Sequence, residues 1–375
     1  MILVATCLFG LEKQLGEEID ALGCKRLETM DGRVTFEGTE LDIARANVRL
    51  RLAERIFIRV GQFEARSFTE LFDGVRALPF EDFIGPDDAF PVKGHAIKST
   101  LFSVPDCQSI VKKAIVERLR AAHGVVTLPE EGTKYQIEFF IFKDVATLMI
   151  DTSGVALHKR GYRPAAGAAP LRETLGAAMA LTARVRPDIL LWDPFCGSGT
   201  IVIEAALIEK GIAPNTGRDF AAMDFDFVDH RIWRTAREEA EDLVKRDVKI
   251  ELFGSDIDEK VLQYARENAA RAGVAEDIRF FTADARKIEK PDRRGTLICN
   301  PPYGERMMEQ SSAKRLYSAL GRHLKFADGW KKFVITSEPE FEHWFGKRAD
   351  KKRKFYNGKI KCDYYMFTDN TRKKK

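Results

Sequence analysis

Several features that would place this sequence quickly are missing from it. None of its six cysteines stands in a Cys-x-x-Cys pair, so neither a zinc ribbon nor a disulfide framework is indicated. No apolar run approaches the roughly eighteen residues of a membrane span, and no basic segment leads into an apolar run, which argues against a secretory signal. The expectation is a cytoplasmic protein with no membrane partner. A dinucleotide fingerprint is absent as well. The third glycine that should follow Gly199 by three residues is Val202, and the ribose-reading acid expected about 20 residues on is missing. Excess positive charge is scarce: the net +4 comes entirely from residues 346–375, with 12 Lys and Arg against 3 acids, while residues 1–152 hold 19 against 24. Such a basic tail is either a solvated end or added affinity for a polyanion.

At 375 residues the chain has room for two or three domains. Residues 1–65 carry strand signals at Ile2–Thr6, Lys25–Thr29, Arg33–Phe36 and Arg55–Val60, helical patterns at Leu8–Leu22 and Glu40–Arg51, and a hairpin turn at Asp31-Gly32. The order βαββαβ predicts a ferredoxin-like unit, which assigns no function by itself. Residues 66–152 predict a second small α/β unit. Its parts are the strand Val92–Lys98, a helix from about Asp106 with Ile110, Val111, Ala114, Ile115 and Leu119 on one apolar side, and the strands Tyr135–Phe142 and Ala146–Ile150.

Residues 153–375 alternate strands and helices, as a parallel α/β sheet does. The stretch Leu190–Ala206 reads as an apolar strand, the acid Asp193, a glycine-rich turn with Gly197 and Gly199, and an apolar helix opened by Thr200. Such a turn lets a ligand approach the backbone and the helix N-terminus; alone it is equally a device for tight strand–helix packing. Residues 212–248 interrupt the alternation, and Met223, Phe225, Phe227, Ile232 and Trp233 predict an extra packed lobe there. Strands then recur, ending in Ser255-Asp256, in Ala283-Asp284 and in Asn300-Pro301-Pro302-Tyr303. A helix Ser312–Leu324, a strand Phe333–Thr336 and a hairpin about Asn357-Gly358 complete the pattern.

Acids ending successive strands at Asp193, Asp256 and Asp284 suit a ligand with an amino-acid end, a ribose diol and an adenine amino group, each a hydrogen-bond donor. A metal cluster is the rival, but the helices between them space the strand ends too far apart for one ion, so no metal is expected. Two consecutive prolines make Asn300–Tyr303 a rigid turn, although prolines also end ordinary strands. The Asn300 side-chain oxygen and the Pro301 carbonyl can accept both hydrogens of an exocyclic base amino group, favouring a pyramidal nitrogen, while Tyr303 stacks on the base. A paired target base must flip out to reach such a slot. Cys196 and Cys299 read as small apolar fillers, not nucleophiles.

Asp193-Pro194-Phe195-Cys196-Gly197-Ser198-Gly199-Thr200, followed some hundred residues later by Asn300-Pro301-Pro302-Tyr303, resembles the S-adenosylmethionine-dependent methyltransferases that modify base amino nitrogens. With Val92–Lys98 and Ser103–Gln108 looking like the THUMP pattern, the nearer resemblance is to THUMP-containing RNA guanine-N2 methyltransferases acting on large-subunit ribosomal RNA. The resemblance implies a Rossmann-like class I domain with a seven-stranded sheet over 153–375, after the ferredoxin-like and THUMP-like units. It implies that S-adenosyl-L-methionine is held by Thr174, Asp193, Phe195, Cys196, Gly197, Ser198, Gly199, Thr200, Asp256, Ile257, Asp284, Ala285 and Asn300. Asp193 would lie near the methionine moiety, Asp256 would accept from the ribose hydroxyls and Asp284 from the adenine amino group. RNA would meet a local patch of Lys93, Lys98, Lys112 and Lys113. A pocket wall at Leu157–Arg163 would hold phosphates on Lys159, Arg160 and Arg163 and pack Tyr162 on sugar or base. Each of these basic residues also reads as a solvated surface. DNA or RNA adenine-N6 methylation and a non-catalytic RNA-binding assembly factor remain the alternatives.

Overall fold

The computed structural model describes residues 1–163, 171–303, 307–325, 329–358 and 360–368, with the backbone alone for 307–310. The alanine-rich stretch Ala165–Ala169 with Pro170, the pair Gly304-Glu305, and the end of the basic tail at 369–375 lie outside the described residues. The chain divides into two compact units, each assembled from separate segments.

The first unit comprises Met1–Cys7, Leu15–Leu157 and Asn215–Glu239. Strands β1 (Ile2–Cys7), β2 (Lys25–Met30), β3 (Arg33–Glu37), β4 (Ala53–Glu64), β5 (Val92–Ile97), β6 (Ile137–Phe142) and β7 (Val145–Asp151) form one sheet in the order β2-β3-β1-β4-β7-β6-β5. The βαββαβ order is present, with α1 (Glu12–Ala21) and α2 (Glu40–Arg49) as its helices. A short helix that periodicity did not mark, α3 (Phe68–Arg76), is started by a capping box in which Ser67 Oγ accepts from Glu70 N and the Glu70 carboxylate accepts from Ser67 N. The long helix α4 (Val104–His123) has proline in its first turn and ends at Gly124, φ +67°. Antiparallel pairing of β4 with β7 runs from Phe57↔Asp151 to Glu64↔Val145, so the two expected N-terminal units share a single hydrogen-bonded sheet.

The insertion 212–248 makes no lobe of its own, because so short a segment cannot bury its aromatic side chains against itself. Residues 215–239 complete the first unit instead. Phe225 stacks on Tyr135 with centroids 4.3 Å apart, Asn215 Nδ2 donates to the Asn47 carbonyl at 2.9 Å, and Arg45 makes paired hydrogen bonds of 2.7 and 2.5 Å to Glu239.

The second unit comprises Leu8–Gln14, His158–Pro214 and Ala240–Lys375. In chain order it uses α5 (Glu173–Ala183), β8 (Leu190–Asp193), α6 (Thr200–Glu209), the end of α7 (Arg231–Asp242), β9 (Leu252–Asp256), α8 (Glu259–Arg271), β10 (Ile278–Thr282), β11 (Gly295–Cys299), α9 (Met307–Leu324), β12 (Trp330–Thr336), α10 (Phe341–Phe345), β13 (Lys351–Asn357) and β14 (Ile360–Phe367). The sheet order is β10-β9-β8-β11-β12-β14-β13. The first five strands are parallel and β14 runs antiparallel between its neighbours. Both central strands, β8 and β11, are buried along their whole length, as expected for parallel strands covered on two faces. Strand order reverses between them, and the crevice beyond their carboxyl ends is where open α/β sheets bind ligands.

Candidate functional site

The glycine turn after β8 is held by backbone geometry and by α8. Gly197 and Gly199 have φ of +52° and +86°, a region that side chains other than glycine's rarely adopt. Asn268, buried on α8, donates to the Ser198 carbonyl at 3.0 Å and ties the turn to that helix. Asp193 lies 1% exposed beneath the turn and accepts from Phe195 N at 3.0 Å. Burial pushes its carboxyl well above the usual carboxylate range, and nearby Asp256 adds to the rise. Its immediate work is therefore to shape the turn.

Asp256, at the end of β9, accepts from Gly197 N at 3.0 Å with one oxygen and from Asp258 N at 3.1 Å with the other. Asp284, just past β10, accepts from Arg286 N at 2.9 Å and from that residue's guanidinium at 2.8 to 3.1 Å. The Arg286 hydrogen bonds hold the Asp284 carboxyl down at about 2. Asp284 thus stays ionised at the cleft, while Asp193 is buried beneath the turn.

At the end of β11 the turn Asn300–Tyr303 is pinned from two sides. Tyr303 Oη donates to Asn300 Oδ1 at 2.5 Å, which orients the amide and leaves its oxygen a second lone pair. Tyr317 on α9, fully buried, donates to the Pro302 carbonyl at 2.9 Å and lies 3.0 Å from Thr336 Oγ1; burial pushes its hydroxyl up to about 12. Burial also raises the Tyr303 hydroxyl, which borders Cys362 and Asn357 of the last hairpin. That hydroxyl is turned inward, so Tyr303 serves first as a brace for Asn300.

Asn300, Pro302, Phe195, Asp256, Ile257, Asp284 and Ala285 line one cleft of about 770 Å³, together with Arg286 and Ser312. Ile257 is 64% exposed there, an apolar surface next to two carboxylates. Thr174 and Pro301 are buried. They and Asp193, Cys196, Gly197, Ser198, Gly199, Thr200 and Tyr303 stand outside that lining. Burial drives the Cys196 and Cys299 thiols upward, which removes them as thiolates. Among the described residues no three His, Cys, Asp or Glu side chains converge as metal ligands would. Sequence reading missed Asn268, Tyr317 and Arg286. Asn268 and Tyr317 do carry a signal, as polar groups on otherwise apolar helix stripes, Leu262-Ala265-Asn268-Ala269 and Ala313-Tyr317-Leu320.

The basic residues expected to meet RNA separate into two groups. Arg160 and Tyr162 are each 5% exposed; Tyr162 Oη donates to Glu204 at 3.2 Å and Arg160 Nε lies 3.6 Å from the same carboxylate. Arg163 pairs with buried Glu173 at 2.9 Å and donates to Thr200 Oγ1 at 3.1 Å. These three brace the starts of α5 and α6 instead of presenting phosphate donors, because two buried carboxylates demand cationic partners. Lys112 is likewise committed: its ammonium donates to Glu130 at 2.6 Å and to the Phe90 carbonyl at 3.1 Å, and burial draws its pKa down. Lys93 lies 3.3 Å from Glu138. Lys98, Lys113 and Lys159 are exposed.

Comparison with known proteins identifies the domains and their relatives. Residues 160–366 match the family model described as the RMKL-like methyltransferase domain, residues 2–57 the RlmL ferredoxin-like domain, and residues 65–151 the THUMP domain. YpsC of Bacillus subtilis (strain 168), provisionally named an RNA methyltransferase, is 42% identical over 99% of this chain and 96% of its own length. The ribosomal RNA large subunit methyltransferase K/L of Cellvibrio japonicus (strain Ueda107) is 37% identical over 98% of this chain, but the chain spans only about half, 51%, of that enzyme. Among solved structures, SMU.472, named as a methyltransferase complexed with SAH, superposes with a TM-score of 0.91 at 40% identity, covering 98% of this chain and 97% of the other. A Listeria monocytogenes (str. 4b F2365) structure, named for N6-adenine-specific DNA methylation, gives 0.93 at 44% identity over 98% and 96%.

Proposed function

Because the chain belongs to the THUMP-domain, RMKL-like family of class I S-adenosylmethionine-dependent RNA methyltransferases, we propose that it methylates the exocyclic amino group of a base, guanine N2 of large-subunit ribosomal RNA. The observation that carries the reading is the braced Asn300 turn sharing a cleft with Asp256 and Asp284. S-adenosylmethionine supplies an electrophilic methyl group. Asp256 would accept from its ribose hydroxyls, Ile257 and Ala285 would offer apolar contact to the adenine, and Asp284 would accept from the adenine amino group once an Arg286 N–H releases one of the carboxylate's lone pairs. The glycine turn keeps side chains out of the methionine end. An exocyclic amino nitrogen is a weak nucleophile because its lone pair is delocalised into the ring. Asn300 Oδ1 and the Pro301 carbonyl accept its two hydrogens, localising the pair on nitrogen and aiming it at the methyl. No covalent enzyme intermediate is needed, in keeping with thiols that burial holds protonated.

Acceptors of this kind serve guanine N2, adenine N6 and cytosine N4 alike. The choice of large-subunit ribosomal RNA leans on the K/L enzyme's name and that of guanine on the resemblance of the motif alone; the Listeria structure's name favours adenine N6. The experiment is transfer from methyl-labelled cofactor to unmodified ribosomal RNA, followed by digestion to nucleosides. Label is expected in N2-methylguanosine. Label in N6-methyladenosine overturns the base and spares the amino-group mechanism, whereas label on a ring carbon or ribose oxygen removes both. Asn300→Ala should lower kcat by a factor of about 10² or more with cofactor affinity nearly unchanged, as loss of a positioned group does.

A further inference from the structure

The sheet of the first unit is bent more than its strand order requires. Register shifts between Thr6 and Cys7, Arg26 and Glu28, and Arg59 and Gly61 mark bulges, which bend a strand and sharpen its twist. Arg33 on β3 and Phe140 on β6 have three strands between them, yet the Arg33 guanidinium carbon lies 3.6 Å from the Phe140 ring centroid. Four flat inter-strand steps would hold those backbones about 19 Å apart. Only a curled sheet brings the two side chains together.

The face inside the curl holds a pocket of about 280 Å³, near the lower limit of small-molecule sites. Val4 and Phe140 give it an apolar floor, and Phe142 stacks on Phe140 with centroids 5.9 Å apart. The rim is basic, with Arg33, Arg59 and Lys143 against Glu28 among the described lining residues, and the Glu138 carboxylate also acts on Arg33. Lys143 Nζ lies 5.3 Å from the Phe142 centroid. Arg33 Nε is buried and has no hydrogen-bond partner among the described residues, a condition that native structures rarely leave standing.

We propose that this pocket holds one unpaired nucleotide of the RNA substrate, with its base on the Phe142 ring, beside Phe140 and the Arg33 that covers it, and its phosphate on Arg33, Arg59 and Lys143. The proposal rests on the RNA reading above and adds a second point of attachment outside the methyl-transfer cleft. Aromatic faces interleaved with cations fit a nucleotide because each base has a π-face and each phosphate a charge. The space admits a single base, so a duplex, whose bases are already stacked and paired, is excluded. Because β3 belongs to the ferredoxin-like segment and β6 to the THUMP segment, neither segment carries the pocket alone.

The test uses the full chain. Affinities for a short single-stranded oligoribonucleotide and for a blunt duplex of equal length are measured by fluorescence anisotropy, for wild type and for Arg33→Gln, Phe142→Ala and Lys143→Glu. Each variant should bind the single strand about 5- to 100-fold more weakly, the range for losing a base-stacking or phosphate contact, with duplex and S-adenosylmethionine affinity unchanged. In methyl transfer to ribosomal RNA, KM should rise and kcat should hold. Unchanged single-strand affinity in Phe142→Ala and Lys143→Glu, with native circular dichroism, overturns the proposal. So does an equal loss for the duplex, or tighter binding of free nucleoside monophosphate than of the oligonucleotide. Failure of the wild type to methylate any RNA would count against the proposed function instead, since the oligonucleotide measurements stand without turnover.

Discussion

Asp256 already carries two backbone donors, Gly197 N and Asp258 N, so one carboxylate both fixes the glycine turn and faces the cleft. The two duties can be separated. Asp256→Ala removes both and should weaken S-adenosylmethionine binding by about 1 to 3 kcal/mol, the range for charge-assisted hydrogen bonds. Asp256→Asn keeps an acceptor for Gly197 N and should lose less. Calorimetric titration decides: an alanine variant with wild-type affinity would take Asp256 out of the cofactor site. Asn300 shows the same economy, since the Tyr303 hydroxyl uses one lone pair of its amide oxygen and leaves the other for a base.

Among the elements, α8 is the one whose role in the site exceeds its sequence signal. Its Asn268 reaches the Ser198 carbonyl at 3.0 Å and makes the glycine turn depend on a helix that contributes nothing to the cleft lining. Asn268→Ala leaves that carbonyl unpaired and should destabilise the chain by about 1 to 3 kcal/mol in denaturant unfolding, raise the Kd for cofactor severalfold, and leave kcat at saturating cofactor unchanged. A fall in kcat at saturation would show that the turn takes part in the chemistry itself. Strand ends and turns were legible in the sequence because they are local: Asp31-Gly32 makes its hairpin with Gly32 at φ +75°, and Asp193, Asp256, Asp284 and Asn300 stand at or just past one sheet edge. Arg160, Tyr162 and Arg163 were not, because a glycine-containing run of charges looks solvated, and what buries them is Glu173 and Glu204 on helices later in the chain. The capping box that starts α3 was readable at Ser67 and Glu70, but its helix is too short for periodicity to stand out.

Taken whole, the chain is interleaved: 215–239 completes the first unit and Leu8–Gln14 the second. A fragment His158–Lys375 would carry Phe225 and Asn215 without Tyr135 and Asn47, their partners in the first unit. It should aggregate on size exclusion, while the same fragment with 215–239 replaced by a glycine-serine linker should stay monodisperse and bind cofactor in calorimetry. Identical behaviour of the two fragments would mean that this segment needs no partner. The continuous sheet bears on another kind of cut. Family models part the N-terminal half between residues 57 and 65, and the residues left between them belong to β4, the central strand of seven. Strands hydrogen-bonded on both sides open only with the whole sheet, so the amides of β4 and β7 should exchange with deuterium together and last in this unit; faster exchange in β4 than in α4 would deny that they open as one. A chimera joined inside β4 would break the ladder at its most protected strand, whereas joints that keep 1–157 and 215–239 from one parent would inherit it entire.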